Sequence, residues 1–222
     1  MGFLAISKLV LALILPFLIF LGVANQIAFD KQFYANKFYE YGINVPEAEA
    51  INVDTVDFVS GKTNELPDIY NEREKQHLLD VKNIVRISRL TLYSLTILFI
   101  SLFLASVFVI KMNNDLANFA GKVLSYGGIL TTGLASLLFV MISLNFQASF
   151  SSFHDLFFRQ GTYIFDPANE MIVRLYPEEL FMRLGLRIAK WVLFVSAVII
   201  IIGIFLIVKT KTKRIKIERT KT

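Results

Sequence analysis

The chain holds two histidines and no cysteine. Its only imidazoles, His77 and His154, each lie just outside a long apolar stretch, in the two segments richest in charge. Histidine is the side chain whose ordinary pKa lets it take and give protons between about pH 5 and 8. Two imidazoles on one side of a bilayer, at similar distances from it, could assemble a proton-transfer site there. His154 stands within Phe153-His154-Asp155-Leu156-Phe157-Phe158, and an imidazole among aromatics at a membrane surface keeps a depressed pKa and acts as a base near neutral pH. His77 has Arg73 and Glu74 on the turn before it and Asp80 and Val81 on the turn after it. The plain alternative for each is a solvated or structural residue on a helix. The absence of cysteine removes disulfides, thiolate catalysis and thioester intermediates together. Two histidines without a matched third ligand or an HExxH pattern do not define a zinc site, so neither metal nor cofactor is expected. No G-x-S-x-G, P-loop or dinucleotide fingerprint is present.

What must position these residues is a membrane scaffold. Leu9–Ala24, Leu90–Ile110, Val123–Leu144 and Trp191–Val208 are apolar and nearly free of charge. Each is close to the roughly 20 residues a helix needs to cross a hydrocarbon core of about 30 Å, and the hydrophobic fraction of 55% agrees. The first could be read as a signal peptide, with Lys8 before it and Gly22-Val23-Ala24 as a cleavage pattern. Its apolar character continues to Ala28 and Phe29, which favours an uncleaved helix. The expectation is an all-α integral membrane protein, a single domain with transmembrane helices over about 9–28, 90–110, 123–146 and 188–208. Two extracytoplasmic helical segments, 29–89 and 147–187, form a small cap held by packing and by dipping into the headgroups.

Lys209, Lys211, Lys213, Arg214, Lys216, Arg219 and Lys221 crowd the C-terminal tail, and Lys111 and Lys122 flank Asp115 in the connection between the second and third spans. By the positive-inside rule both are cytoplasmic, which makes the chain a multi-pass protein of the cell membrane with both termini inside. The net charge of +5 therefore belongs to a tail that meets anionic lipid headgroups, not to a nucleic-acid surface.

The third span repeats small residues every four positions, as Gly127, Thr131 and Ala135 and again as Gly128, Thr132 and Ser136. Two such stripes let two neighbours approach closely. Pro46, Glu47 and Glu49, with Gly61 beyond, point to a helix over about 46–60, although Ile51, Val53 and Thr55 also alternate as a strand would. Asn71 and Glu74 resemble a capping box, and no proline or glycine follows before Ile110. His77 lies 13 residues before Leu90, about 20 Å along a straight helix, and His154 lies 10 residues after Leu144, about 15 Å by the same rise. Phe146, Phe150, Phe153 and Phe157 keep helical spacing, so the third helix is expected to continue outward with an aromatic face. Glu178 after Pro177 is expected to cap a short helix over 178–184. Arg183, Arg187 and Lys190 are expected to snorkel to headgroups.

Glu74-Lys75-Gln76-His77-Leu78-Leu79-Asp80-Val81-Lys82 resembles the E-x-x-H-x-x-D-V-K segment of the lipoprotein intramolecular transacylase (Lit) family of four-helix membrane proteins. The stretch from Phe150 through Phe153-His154 and Phe157-Phe158 to Phe165-Asp166-Pro167 and Leu175-Tyr176-Pro177-Glu178 resembles the family's second signature. The order of spans and outer segments is also similar, so the likeness covers nearly the whole chain. Where the family's aromatic stretch carries tryptophan, this chain has Tyr163.

The resemblance implies transfer of an ester-linked acyl chain from the diacylglyceryl group of a lipoprotein to the α-amine of its N-terminal cysteine. The implied partners are membrane lipids and a diacylated lipoprotein, with no nucleic acid. Amine and ester then share one molecule, so proximity supplies much of the barrier reduction without an acyl-enzyme. An ammonium of pKa about 7.7–8.0 is within reach of a histidine near 6.5. His154 is expected as general base, with His77 relaying the proton to the glyceryl oxygen or orienting the site. Asp80 could hold His77's tautomer, while Asp166 is fixed in a turn by Pro167. Arg174, Lys82 or backbone N–H groups would meet the oxyanion, and Tyr163, at the tryptophan position, is a further supporting residue. The rival readings are a non-catalytic scaffold or lipid-binding subunit with structural histidines, and a metal-dependent hydrolase in which Asp80, Asp155 or Glu178 converges on both rings.

Overall fold

The computed structural model describes residues 2–110, 113–158 and 163–219, apart from the side chains of 113–115 and 214–219. The described residues form helices only: α1 (Phe3–Ile27), α2 (Lys31–Glu40), α3 (Ala48–Val59), α4 (Glu72–Val109), α5 (Asn113–Leu144), α6 (Phe146–Phe157), α7 (Met171–Leu175) and α8 (Glu178–Arg219). Four helical stretches are long and apolar enough to cross a membrane: Phe3–Ile27, Glu72–Val109, Leu116–Leu144 and Glu178–Lys213. The chain is thus an all-α protein with four candidate spans. It divides into two compact units, one of Met1–Val23, Thr91–Leu138 and Ala189–Thr222, the other of Ala24–Leu90 and Phe139–Ile188.

The first unit is built around α5. Each of its two small-residue stripes meets a different helix. A Cβ added at Gly127 would come within 2.7 Å of Leu15 and 3.0 Å of the Ala12 carbonyl oxygen on α1. One added at Gly128 would come within 2.6 Å of Ile200 on α8. Thr131 and Ala135 are fully buried, and Thr132 shares a 2.9 Å hydrogen bond with Ser196. The same helix meets α4 through Phe119 and Phe103, whose ring centroids are 6.3 Å apart. Ser106 donates to Ser7 at 3.0 Å, tying α4 to α1.

Gly127→Leu and Gly128→Leu should therefore each lower the thermal unfolding midpoint in detergent, by the about 1–3 kcal/mol or more that overpacking costs. Gly133→Leu is the control, because nothing lies within 4 Å of an added Cβ there. Unchanged midpoints for both test variants would mean that the stripes face lipid.

The second unit contains α2, α3, α6, α7 and the adjoining ends of the long helices. The stretch 46–60, open between helix and strand on its sequence, is the helix α3. Asn71 and Glu74 do form a capping box: Glu74 N donates to Asn71 Oδ1 at 3.0 Å, and Asn71 N donates to Glu74 Oε2 at 2.7 Å. Two expectations are corrected. The third span does not run on into the aromatic stretch, because α5 ends at Leu144 and Asn145 caps a separate helix, accepting from Ala148 N at 3.0 Å. The helix that starts at Glu178 does not stop at 184 but continues to Arg219.

The helix α2 carries signals that the sequence reading passed over. Asp30 accepts from Phe33 N at its start, and Gly42 after its end has φ +60, a conformation in which glycine has no Cβ to strain. Arg187 pairs with Asp30 at 2.7 Å and stacks on Phe33. That pairing holds the Asp30 carboxyl below its usual range against the opposing effect of burial.

Candidate active site

The two histidines meet within the second unit. His77 is presented by the second turn of α4, and His154 by the last turns of α6. Their ring centroids are 6.3 Å apart and nearly parallel, at 17°. They are 7% and 8% exposed, so neither is a solvated surface residue. A direct ring-to-ring hydrogen bond, with nitrogens about 3 Å apart, would bring the centroids to about 5 Å. The rings are therefore near enough to act on one small group and too far to bond each other.

Aromatic rings enclose the pair. Phe158 lies 4.8 Å from His77 and 5.2 Å from His154, measured between centroids. Phe165 meets His77 edge-on at 5.2 Å. Phe150 and Tyr163 lie 4.1 and 4.7 Å from His154. Helical spacing brings Phe150 and His154 onto one side of α6, which explains the closest of these contacts.

The protonation pattern follows from the partners. His154 Nδ1 lies 2.8 Å from the Phe150 carbonyl oxygen. A carbonyl only accepts, so Nδ1 carries the proton and the neutral ring keeps its lone pair on Nε2. Burial lowers the His154 pKa, while the Phe150 carbonyl and the negative charges of Glu178 and Asp155 pull it back up. His77 is more strongly affected: burial first and the neighbouring His154 second bring it to about 4, with Asp80 opposing. Its Nδ1 is buried without a hydrogen-bond partner among the described residues. Both rings are thus poised to be neutral at pH 7.

The supporting residues separate into those at the site and those elsewhere. Tyr163 packs on His154 and donates its hydroxyl to Asp155, which raises the phenol pKa. Asp80 acts on His77 through its charge. The bond at His77 Nδ1 that would fix its tautomer is not made among the described residues. Lys82 is committed elsewhere, donating to the Thr63 carbonyl at 2.8 Å and to Asn64 Oδ1 at 2.9 Å while lying over the Phe58 ring. Arg174 is exposed at the end of α7 and contacts neither imidazole among the described contacts.

The sequence reading missed what holds this wall in place. Glu74, 1% exposed, accepts from Ile172 N at 2.7 Å and so fixes the start of α7 as well as that of its own helix. Arg73 donates to the Ile164 carbonyl and, at 2.8 Å, to Glu170, and its guanidinium covers the Phe165 ring at 4.8 Å. Glu170 also accepts from Asp166 N at 2.6 Å. Arg73 thereby pins the loop bearing Phe165 over His77, and Glu74 pins the start of α7, both from the first turn of α4.

Comparison with known proteins supplies the remaining context. The sequence profile of a family described as lipoprotein intramolecular transacylase Lit matches residues 6–181. An in meso structure of the membrane integral lipoprotein intramolecular transacylase Lit from Bacillus cereus is 23% identical, with a TM-score of 0.81, covering 94% of this chain and 98% of that one. A structure of the same Bacillus protein with a histidine-to-arginine mutation is 22% identical at a TM-score of 0.76, covering 95% and 94% of the two chains. Another, with a histidine-to-alanine mutation, has the same identity and TM-score and covers 94% and 96%. No curated protein matches.

Proposed function

Since the chain belongs to the lipoprotein intramolecular transacylase Lit family, we propose that it moves an ester-linked acyl chain within a diacylglyceryl-modified lipoprotein. The acceptor is the α-amine of that lipoprotein's N-terminal cysteine, and the product is an N-acylated lyso form. The observation that carries the catalytic part of this reading is the pairing of His77 and His154 at 6.3 Å inside an aromatic enclosure.

His154 acts as general base. Its Nε2 takes a proton from the cysteine ammonium, and the freed amine attacks the ester carbonyl of the same molecule. As the tetrahedral adduct collapses, the C–O bond to glycerol breaks and the glyceryl oxygen takes a proton from the histidine pair. An amide and an alcohol replace an ester and an ammonium, with one proton released. His77, held neutral, relays the proton to the glyceryl oxygen or orients the reacting groups. Binding both groups in one enclosure serves the chemistry directly, because an oriented intramolecular reaction no longer bears the entropic cost of an encounter. The basic tail and the short basic loop support cytoplasmic termini and an outer-face position for the histidines.

Intramolecular transfer is an isomerisation, so the intact mass of the lipopeptide does not change. The test reconstitutes the purified protein with a diacylglyceryl lipopeptide, follows loss of the primary amine and locates the acyl chain by fragmentation. With two substrates differing in both peptide and acyl chain, each product should keep its own chain. Exchange between them, or persistence of the free amine, would overturn the reading.

The pH profile is a further expected outcome. A base must be unprotonated to act, and the His154 pKa is lowered from 6.5. Turnover should hold at pH 7 and fall only as pH drops below 6.5. An acid limb centred above 7 would count against His154. Stability should follow the same direction: the lowered folded-state pKa of His77 means that its contribution is complete above 6.5 and is lost as pH falls toward about 4.

A further inference from the structure

The helix α6 has a face that the histidine pair does not use. Its inner side carries Phe150, which packs on Phe181 at 5.7 Å, and His154. Phe153, Leu156 and Phe157 point outward and are 49%, 75% and 49% exposed. On a helical projection they share an arc of about 100°, with His154 about 60° beyond Phe157 and the exposed Asp155 on the opposite side. Three large apolar side chains exposed together on twelve residues need a partner.

We infer that α6 is an interfacial helix, lying in the membrane plane with Phe153, Leu156 and Phe157 inserted among the lipid chains. The occupant follows from continuity. Only Asn145 separates α6 from α5, whose last turns expose Val140, Met141 and Leu144 at 47%, 47% and 81%. That end of α5 belongs to a helix apolar enough to cross a membrane, so its exposed side chains meet lipid and α6 starts where the lipid does. The capping bond from Ala148 N to Asn145 Oδ1 lets the chain leave the direction of α5 without abandoning backbone partners. Charge points the same way. The only ionisable groups on α6 are Asp155 and the buried His154, so the helix offers no basic face for anionic headgroups and little charge for a protein partner to match. Apolar insertion remains, and the tether to α5 makes it an intramolecular event.

One consequence rests on the function proposed above. His154 falls at the edge of the apolar arc, and the edge of an interfacial helix lies where hydrocarbon gives way to headgroups. The base would then sit at the depth of the glycerol esters.

The test uses the full chain in nanodiscs of zwitterionic lipid, with Trp191, the sole tryptophan, replaced by phenylalanine. Leu156→Trp should emit to the blue and lose most of its emission to lipids brominated near the ester, less to lipids brominated near the chain end. Asp155→Trp, on the opposite side of the helix, should be quenched by acrylamide and spared by both bromolipids. Phe153→Trp serves as a second probe should Leu156→Trp fold poorly. Quenching of the 156 and 153 probes by acrylamide alone would overturn the proposal. So would protection from both quenchers that vanishes when each disc holds one protein molecule, since a second copy would then cover the face. Transacylase activity plays no part in the readout, so its absence would weigh on the proposed function and not on this one.

Discussion

His154→Asn should abolish formation of the lyso-lipoprotein, with turnover down by about 10²–10⁴-fold, the range general-base catalysis typically supplies. The substitution separates chemistry from structure. An asparagine amide N–H can donate to the Phe150 carbonyl, four residues back on the same helix, as His154 Nδ1 does at 2.8 Å, yet it cannot accept a proton from an ammonium at neutral pH. His154→Ala should fail equally, with some added loss of stability because the ring is buried among Phe150, Phe158 and Tyr163. His77→Ala should impair turnover less if its part is relay or orientation. Each variant is to be scored by product formation beside its unfolding midpoint and membrane insertion. Full turnover by a well-folded His154→Asn variant would sink the mechanism.

Glu74→Ala should produce the second large effect, this one on folding. The Glu74 side chain is buried and accepts the N–H groups of Asn71 and Ile172. Its removal leaves the buried Ile172 N–H without a partner and hands the Asn71 N–H, on an exposed residue, to water. The buried donor left unsatisfied costs about 1–3 kcal/mol, and the lost capping bond at Asn71 adds about 1 kcal/mol. Glu74→Gln keeps one acceptor oxygen and turns an NH2 toward the other donor, so it should cost roughly half as much. The ordering of the three proteins, by thermal unfolding followed through the second unit's hydrogen exchange, is the measurement. Equal midpoints for Glu74→Ala and the unaltered chain would show that the carboxylate holds nothing in place.

The contrast between these residues shows what a sequence discloses. The four spans were legible because lipid demands long apolar runs, which no other environment imposes at that length. The capping box was legible because its partners stand three residues apart. The pairing of His77 with His154 was permitted by their similar heights above the apolar boundary, but at 6.3 Å it is made by a helix that the sequence did not separate from α5. The separation is made at Asn145, and its signal was masked by phenylalanines whose spacing continues in helical phase on the far side. Glu74 reaches Ile172 across 98 residues and Arg73 reaches Glu170 across 97. Nothing local marks such contacts, since any buried carboxylate would do for the first and any acidic loop residue for the second. Lys82 and Arg174 are cations that an oxyanion would call for, but a position in the sequence does not say where a long side chain ends.

The hydrogen bond from His154 to Phe150 has an evolutionary reading. In many histidine bases, the group that fixes the tautomer is a carboxylate on another segment, and a single substitution there disables the base. Here the acceptor is a main-chain carbonyl that any residue at position 150 would supply. The tautomer is written into the pitch of α6 and presents no side chain for mutation to remove. Such a base can be carried through extensive sequence divergence without a co-evolving companion.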